Sequence, residues 1–117
     1  MIVNRIVANI ATEDPERARQ FYGEILGLKR VMDHGWIVTY AAEGNSAPQV
    51  SFARQGGAGA PVPDISVEVD DLDMAHKRVL AAGIAVEYGP AEEDWGVRRF
   101  FVRDPFGKLV NILAHRS

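Results

Sequence analysis

The sequence predicts an α+β fold made of two tandem modules, each with the order strand, helix, strand, strand, strand. The chain repeats itself, each half contains a helix with recognisable ends, and alternating strand patterns surround each helix. The segments that open the two helices begin 57 positions apart (71 − 14), and the glycines that end them lie 56 apart (83 − 27). Similarity at a nearly constant offset indicates a duplicated structural unit.

The first strand of each module is marked by period-two alternation of apolar side chains, which is typical of a half-buried strand. The apolar positions of these two strands are Ile6, Ala8, Ile10, Ile65, Val67 and Val69. Further strands are expected at residues 29–33, 36–42 and 49–54, and at 85–88, 97–103 and 109–114. The sequence Asp-Pro-Phe-Gly at residues 104–107 predicts a type I turn that joins the last two strands as a hairpin.

Both helices have start and stop signals. Asp14 is suited to cap the first helix, and Pro15 to its first position. Gly27 and Gly83 supply the left-handed residue that commonly ends a helix. The first helix is expected to bury one apolar stripe, formed by Ala18, Phe21, Tyr22, Ile25 and Leu26.

Length and composition restrict the classes of function. The 117 residues suit a single domain, with a first module at about 1–55, a Gly- and Pro-rich linker at about 56–63 and a second module at about 64–117. The net charge of −3 and the scattered basic residues argue against nucleic-acid binding. No apolar stretch approaches the ~18 residues of a membrane span. Cysteine is absent, which excludes disulfides and thiolate sites and makes the cytoplasm the expected compartment.

Two motifs resemble a known superfamily. Asp14 precedes Phe21-Tyr22 and Leu26-Gly27-Leu28, as in its first helix, and residues 101–112 resemble its last hairpin. On these motifs and the repeat, the chain resembles the vicinal oxygen chelate superfamily of glyoxalases, bleomycin resistance proteins and extradiol dioxygenases. The resemblance implies two βαβββ modules whose mixed sheet curls into a cup, with helices outside, the ligand inside, and commonly a homodimer.

The resemblance also implies where a metal would bind. Superfamily metalloenzymes use His, Glu or Gln side chains on four strands, and the corresponding positions here are Val7, Ser51, Asp64 and Asn111. A valine has no lone pair, and serine and asparagine are weak ligands compared with imidazole, carboxylate or thiolate. The sequence therefore predicts no metal and no other cofactor.

Several residues are candidates for ligand contacts in the expected cup. Trp36 and Trp95 each adjoin a glycine near its expected rim, and Phe52 and Phe101 offer rings, although core packing is the alternative for both. Of the adjacent Arg98 and Arg99, one enters the cavity, and strand parity leaves open which; Arg99 is the candidate contact. The remaining candidate is Asn111 on the last strand.

The segment from Glu92 to Arg99 resembles a stretch before the last hairpin in bleomycin resistance proteins, whose groove is acidic. Its acidic run, residues 92–94, is alternatively a solvated loop. The first functional hypothesis is therefore a homodimer that sequesters a small organic molecule, such as an antibiotic or a metabolite, without a metal. The second is a lyase, isomerase or dioxygenase relative acting on a small oxygenated substrate, with Asp64 or Glu68 as weak candidates for a catalytic base.

Overall fold

The computed structural model describes residues 1–43 and 48–116, and it confirms the mixed α+β class and the βαβββ order of both modules. The first module contains β1 (Val3–Ala11), a 3₁₀ turn (Pro15–Arg17), a π-helical segment (Arg19–Ile25), β2 (Lys29–Asp33), β3 (Ile37–Ala41) and β4 (Gln49–Ala53). The second contains β5 (Ile65–Val69), α1 (Leu72–Ala81), β6 (Val86–Glu92), β7 (Val97–Arg103) and β8 (Leu109–His115). Within these ranges, no helix is long and apolar enough to cross a membrane.

The chain divides into two compact units. The first unit contains residues Val7–Val62, and the second contains Met1–Ile6 and the chain from Pro63 onward. Strand β1 therefore contributes its first residues to the second unit and its last residues to the first unit.

In the first unit, the strand order is β2-β3-β4-β1. Strands β2, β3 and β4 pair antiparallel, whereas β4 pairs in parallel with β1 and sets Ser51 opposite Asn9. Apolar side chains from β3, β4 and the helical segment form its core, namely Ala18, Tyr22, Leu28, Val38, Tyr40, Val50 and Phe52. On the other face of β3 and β4, the buried hydroxyls of Thr39 and Ser51 are 2.7 Å apart and share a hydrogen bond.

The first helix begins as expected but does not continue as a regular α-helix. The Asp14 carboxylate accepts a hydrogen bond from the backbone N–H of Glu16, with Pro15 next to the cap. Further on, the N–H of Leu26 donates to the C=O of Phe21, five residues back. This wider winding changes the angular spacing of side chains, so the predicted apolar stripe is not kept. Phe21, Ile25 and Leu26 are about half exposed or more.

Arg30 links the edge of the first unit to this helical region. Its guanidinium donates to both oxygens of Glu16, at 2.7 and 3.0 Å, and to the Tyr40 hydroxyl at 3.0 Å. The hydrogen bond from Arg30 lowers the pKa of the Glu16 carboxyl. The bidentate pair thus holds the 3₁₀ turn against β2 and β3.

In the second unit, β5 pairs in parallel with β8, and β8, β7 and β6 follow antiparallel. Helix α1 is capped by the Asp71 carboxylate, which accepts from the N–H of Met74 at 3.0 Å, and it is followed by Gly83 at φ +75°. The side chains between α1 and the strands form the core, with Phe100 fully buried among Val69, Leu72, Ala75 and Val102. Val67, Val110 and Ile112 also face α1, so the alternate residues of β5 and β8 lie on the opposite face.

Candidate functional site

The side of the second unit's strands that faces away from α1 carries polar and aromatic residues. Strand pairing sets Ser66 beside Asn111 and Asn111 beside Phe101, and it sets Arg99 opposite Leu113. Tyr88 from β6 joins them, as do two residues of the β6–β7 connection. We call the set the polar-aromatic face: Ser66, Tyr88, Glu93, Trp95, Arg99, Phe101 and Asn111.

Arg99 and Glu93 form a buried ion pair at the centre of this face. The Arg99 side chain is 3% exposed and that of Glu93 5%. Arg99 Nη2 lies 2.6 Å and Nε 2.9 Å from Glu93 Oε2. The Tyr88 hydroxyl lies 3.1 Å from each oxygen of the same carboxylate and donates to it. The two charges therefore neutralise each other within the protein.

Three aromatic rings surround the guanidinium of Arg99. Its Cζ atom is 5.2 Å from the ring centroid of Tyr88, 5.0 Å from that of Trp95 and 4.8 Å from that of Phe101. Each distance is within the ~6 Å over which a cation is attracted to a ring face. Arg98 points to the opposite face and pairs with Asp73 at 2.8 Å, so Arg99 is the member of the pair on the polar-aromatic face.

Asn111 supplies an unsatisfied polar atom to this face. The residue is 7% exposed, and its amide nitrogen donates to the Ser66 hydroxyl at 3.1 Å. Its amide oxygen is buried and has no hydrogen-bond partner among the described residues. Leaving a buried acceptor unpaired costs about 1–3 kcal/mol, and such atoms are rare in folded proteins.

The structure brings together four of the six residues predicted as ligand contacts: Trp95, Arg99, Phe101 and Asn111. Phe52 belongs to the first unit, where it is 5% exposed in the core and its ring contacts those of Tyr22 and Tyr40. Trp36 also belongs to the first unit, where it is partly buried with its ring 6.0 Å from that of His34.

The four positions expected to bind a metal in superfamily metalloenzymes do not offer a suitable donor set. Val7 has no donor atom, and the Ser51 hydroxyl is engaged with Thr39. The Asp64 carboxylate accepts from the N–H of Leu109 at 2.9 Å, and Asn111 presents a neutral amide. Among residues 1–43 and 48–116, no three His, Cys, Asp or Glu side chains come together as a metal site would require.

The sequence patterns did not identify Tyr88 or Glu93 as individual members of the site, whereas strand alternation had placed Ser66 toward the expected cavity. Glu93 is the central residue of the acidic run Glu92-Glu93-Asp94. The sequence does not distinguish the three residues, but only Glu93 is buried. One sequence signal could have identified Glu93. It lies between the strand that carries Tyr88 and the strand that carries Arg99, so its carboxylate can accept hydrogen bonds from both side chains.

The family assignment rests on nearly the whole sequence. Residues 2–112 match the family model of the Glyoxalase/Bleomycin resistance protein/Dioxygenase superfamily. The chain belongs to this superfamily. No protein among the curated sequences matches it.

Solved structures agree with the fold of a superfamily member. NAD-dependent benzaldehyde dehydrogenase from Legionella pneumophila superposes with a TM-score of 0.78 at 15% identity, covering 96% of this chain and 100% of that one. Methylmalonyl-CoA epimerase from Mycobacterium tuberculosis gives 0.67 at 20% identity, covering 98% and 88%. A superfamily member from Vibrio splendidus 12B01 gives 0.60 at 18% identity, covering 97% and 99%. At these identities, the likeness shows the fold alone.

Proposed function

We propose that this superfamily member binds a small organic molecule, such as an antibiotic or a metabolite, on its polar-aromatic face and without a metal. The buried amide oxygen of Asn111, which has no partner in the described chain, carries the proposal. A ligand N–H or O–H group would satisfy this acceptor and recover its desolvation cost. Sequestration requires only such affinity, and no catalytic group is needed.

The electrostatics of the face favour a neutral ligand. Glu93 already neutralises Arg99, so neither charge is available to a ligand unless the buried pair separates. Trp95 is only partly buried and offers ring surface for a flat molecule. A planar compound with a hydrogen-bond donor near its ring therefore fits this face better than a simple anion or cation.

Catalysis by the acidic residues considered from the sequence is less well supported. Asp64 is an exposed residue, and its carboxylate accepts a hydrogen bond from the backbone N–H of Leu109. Glu68 is already engaged, because Arg5 Nε and His115 Nε2 each lie 3.2 Å from its Oε1 atom. Both carboxylates are therefore engaged with groups of the protein itself.

Tryptophan fluorescence tests the binding proposal, because the chain has two tryptophans. The Trp36→Phe variant reports on Trp95, and Trp95→Phe reports on Trp36. The probes are bleomycin and the matched pair 3-nitrobenzamide and N,N-dimethyl-3-nitrobenzamide, which differ in amide N–H donors. We expect saturable quenching of Trp95 by 3-nitrobenzamide, with about tenfold weaker binding of the dimethyl compound, since one hydrogen bond contributes ~1 kcal/mol or more.

Asn111→Leu provides the control for this titration. It should remove the difference between the two nitrobenzamides, because the acceptor that distinguishes them is gone. The proposal fails if neither bleomycin nor 3-nitrobenzamide saturably quenches Trp95, or if Asn111→Leu keeps the discrimination.

We also propose that the protein is a homodimer formed through the first unit's helical region. Phe21, Ile25 and Leu26 are 49%, 69% and 55% exposed, and apolar side chains grouped on a surface commonly mark an interface. Sedimentation equilibrium should give a dimer for the wild type and a monomer for Ile25→Glu. Phe106→Glu, at an 85% exposed turn residue of the second unit, should remain dimeric. A monomeric wild type would contradict this proposal.

A further inference from the structure

The connection between β6 and β7 carries two members of the polar-aromatic face, Glu93 and Trp95. It is a tight turn, in which the N–H of Gly96 donates to the C=O of Glu93 at 3.2 Å. Trp95 lies inside this turn and is only partly buried. Because connections between strands are more mobile than the strands themselves, the position of the Trp95 ring depends on the contacts that hold the turn.

Arg116, the residue after β8, makes three such contacts. Its backbone N–H donates to the C=O of Gly96 at 2.9 Å, and its Nη2 atom donates to the C=O of Glu93 at 2.9 Å. Its Nη1 atom also donates to the exposed carboxylate of Glu92 at 3.3 Å. Residues 93 and 96 lie before and after Trp95 in the chain, so Arg116 holds both ends of the turn.

The contacts of Arg116 join the turn to the strand that carries the proposed acceptor. Strand β8 contains Asn111 and ends next to Arg116. The neighbouring strand β7 contains Arg99, whose Cζ atom is 5.0 Å from the ring centroid of Trp95. A side chain on a connection is positioned precisely when supporting contacts fix it to rigid elements. Arg116 therefore links the position of the Trp95 ring to that of the Asn111 amide.

We infer that Arg116 is a positioning residue for ligand binding, which holds the Trp95 ring where a flat molecule stacks on it while Asn111 accepts a hydrogen bond from that molecule. The inference rests on the proposed binding at the polar-aromatic face, and Arg116 itself does not contact the ligand. Without the Arg116 side chain, the turn has to be ordered when the ligand binds. The free energy of this ordering is then subtracted from the affinity.

Time-resolved fluorescence anisotropy tests the positioning role without any ligand, because it separates the local motion of an indole from the tumbling of the whole protein. The Trp36→Phe background leaves Trp95 as the only tryptophan. In this background, we expect Arg116→Ala to increase the amplitude of the nanosecond motion of Trp95. A residue that only stabilised the fold would not change this amplitude.

Arg103→Ala is the matched control. Arg103 also donates to the backbone C=O of a turn residue, Gly107, at 3.1 Å and to a carboxylate, that of Glu87, at 3.0 Å. These contacts lie at the other end of the hairpin formed by β7 and β8. Arg103→Ala should therefore remove interactions of the same kind and leave the motion of Trp95 as in the background protein.

Titration with the two nitrobenzamides extends the test to the ligand. Arg116→Ala should bind 3-nitrobenzamide and its dimethyl analogue about fivefold more weakly, which is the effect of one lost hydrogen bond. The ratio of the two affinities should not change, because it depends on Asn111. Arg103→Ala should bind both compounds as the background protein does.

The two measurements separate this inference from the proposed function. If the background protein binds neither compound, the proposed function fails, and the anisotropy of the ligand-free protein still decides whether Arg116 positions Trp95. The inference is overturned if Arg116→Ala leaves the motion of Trp95 or the affinity unchanged, or if Arg103→Ala alters them equally.

Discussion

Glu93→Leu is expected to lower the free energy of unfolding by about 3–5 kcal/mol, because it leaves the buried guanidinium of Arg99 without its counter-charge. Arg99 and Glu93 are both almost fully buried and 2.6 Å apart, so water cannot replace the lost carboxylate without opening the unit. The Tyr88 hydroxyl also loses its acceptor. Urea unfolding followed by circular dichroism measures the change.

Two further variants isolate the ion pair. Glu92→Leu removes an exposed carboxylate that pairs with Arg116 at 3.3 Å, and exposed pairs contribute ~1 kcal/mol or less. The double variant Glu93→Leu/Arg99→Leu should be more stable than Glu93→Leu alone, because it removes the uncompensated charge as well. If Glu93→Leu and Glu92→Leu unfold at the same urea concentration, Glu93 does not stabilise the buried charge of Arg99.

Asn111→Leu is expected to raise the free energy of unfolding of the ligand-free protein by about 1 kcal/mol, because removing an unsatisfied buried acceptor gains about 1–3 kcal/mol and the lost hydrogen bond to Ser66 costs about 1 kcal/mol. The same variant should bind 3-nitrobenzamide about tenfold more weakly, with the affinity that the wild type has for the dimethyl compound. Greater stability combined with weaker binding is expected when a residue of a binding site costs stability.

Asn4→Leu serves as the control for this substitution. Asn4 is an exposed residue of β1, where replacement should change stability by no more than ~0.5 kcal/mol. If Asn111→Leu is instead less stable than the wild type, the amide oxygen is not an unmet acceptor, and the basis of the binding proposal is lost.

The strands were predictable from sequence because alternation and turn residues act locally. The boundaries of β2 and β7 agree with the expected segments, and those of the other strands differ by a few residues. The first helix was not fully predictable. Its cap and terminal glycine are local signals, but the five-residue hydrogen bond from Leu26 to Phe21 depends on packing that no short pattern encodes.

The candidate site was only partly predictable for a related reason. Phe101 and Asn111 were both candidates from the sequence, and strand pairing sets them side by side. Parity alone could not separate Phe52, which packs in the core of the first unit, from rings available to a ligand. It also could not identify Glu93, because burial of one acid within an acidic run depends on Arg99 from the following strand.

The most direct test of ligand binding without a metal combines metal analysis with the Trp95 titration on one sample. The Trp36→Phe protein is purified without chelator, analysed for Ni, Zn, Fe and Mn, and titrated with 3-nitrobenzamide before and after dialysis against EDTA. We predict substoichiometric metal and the same affinity in both titrations. A full equivalent of one metal, with binding lost in EDTA, would contradict the proposal.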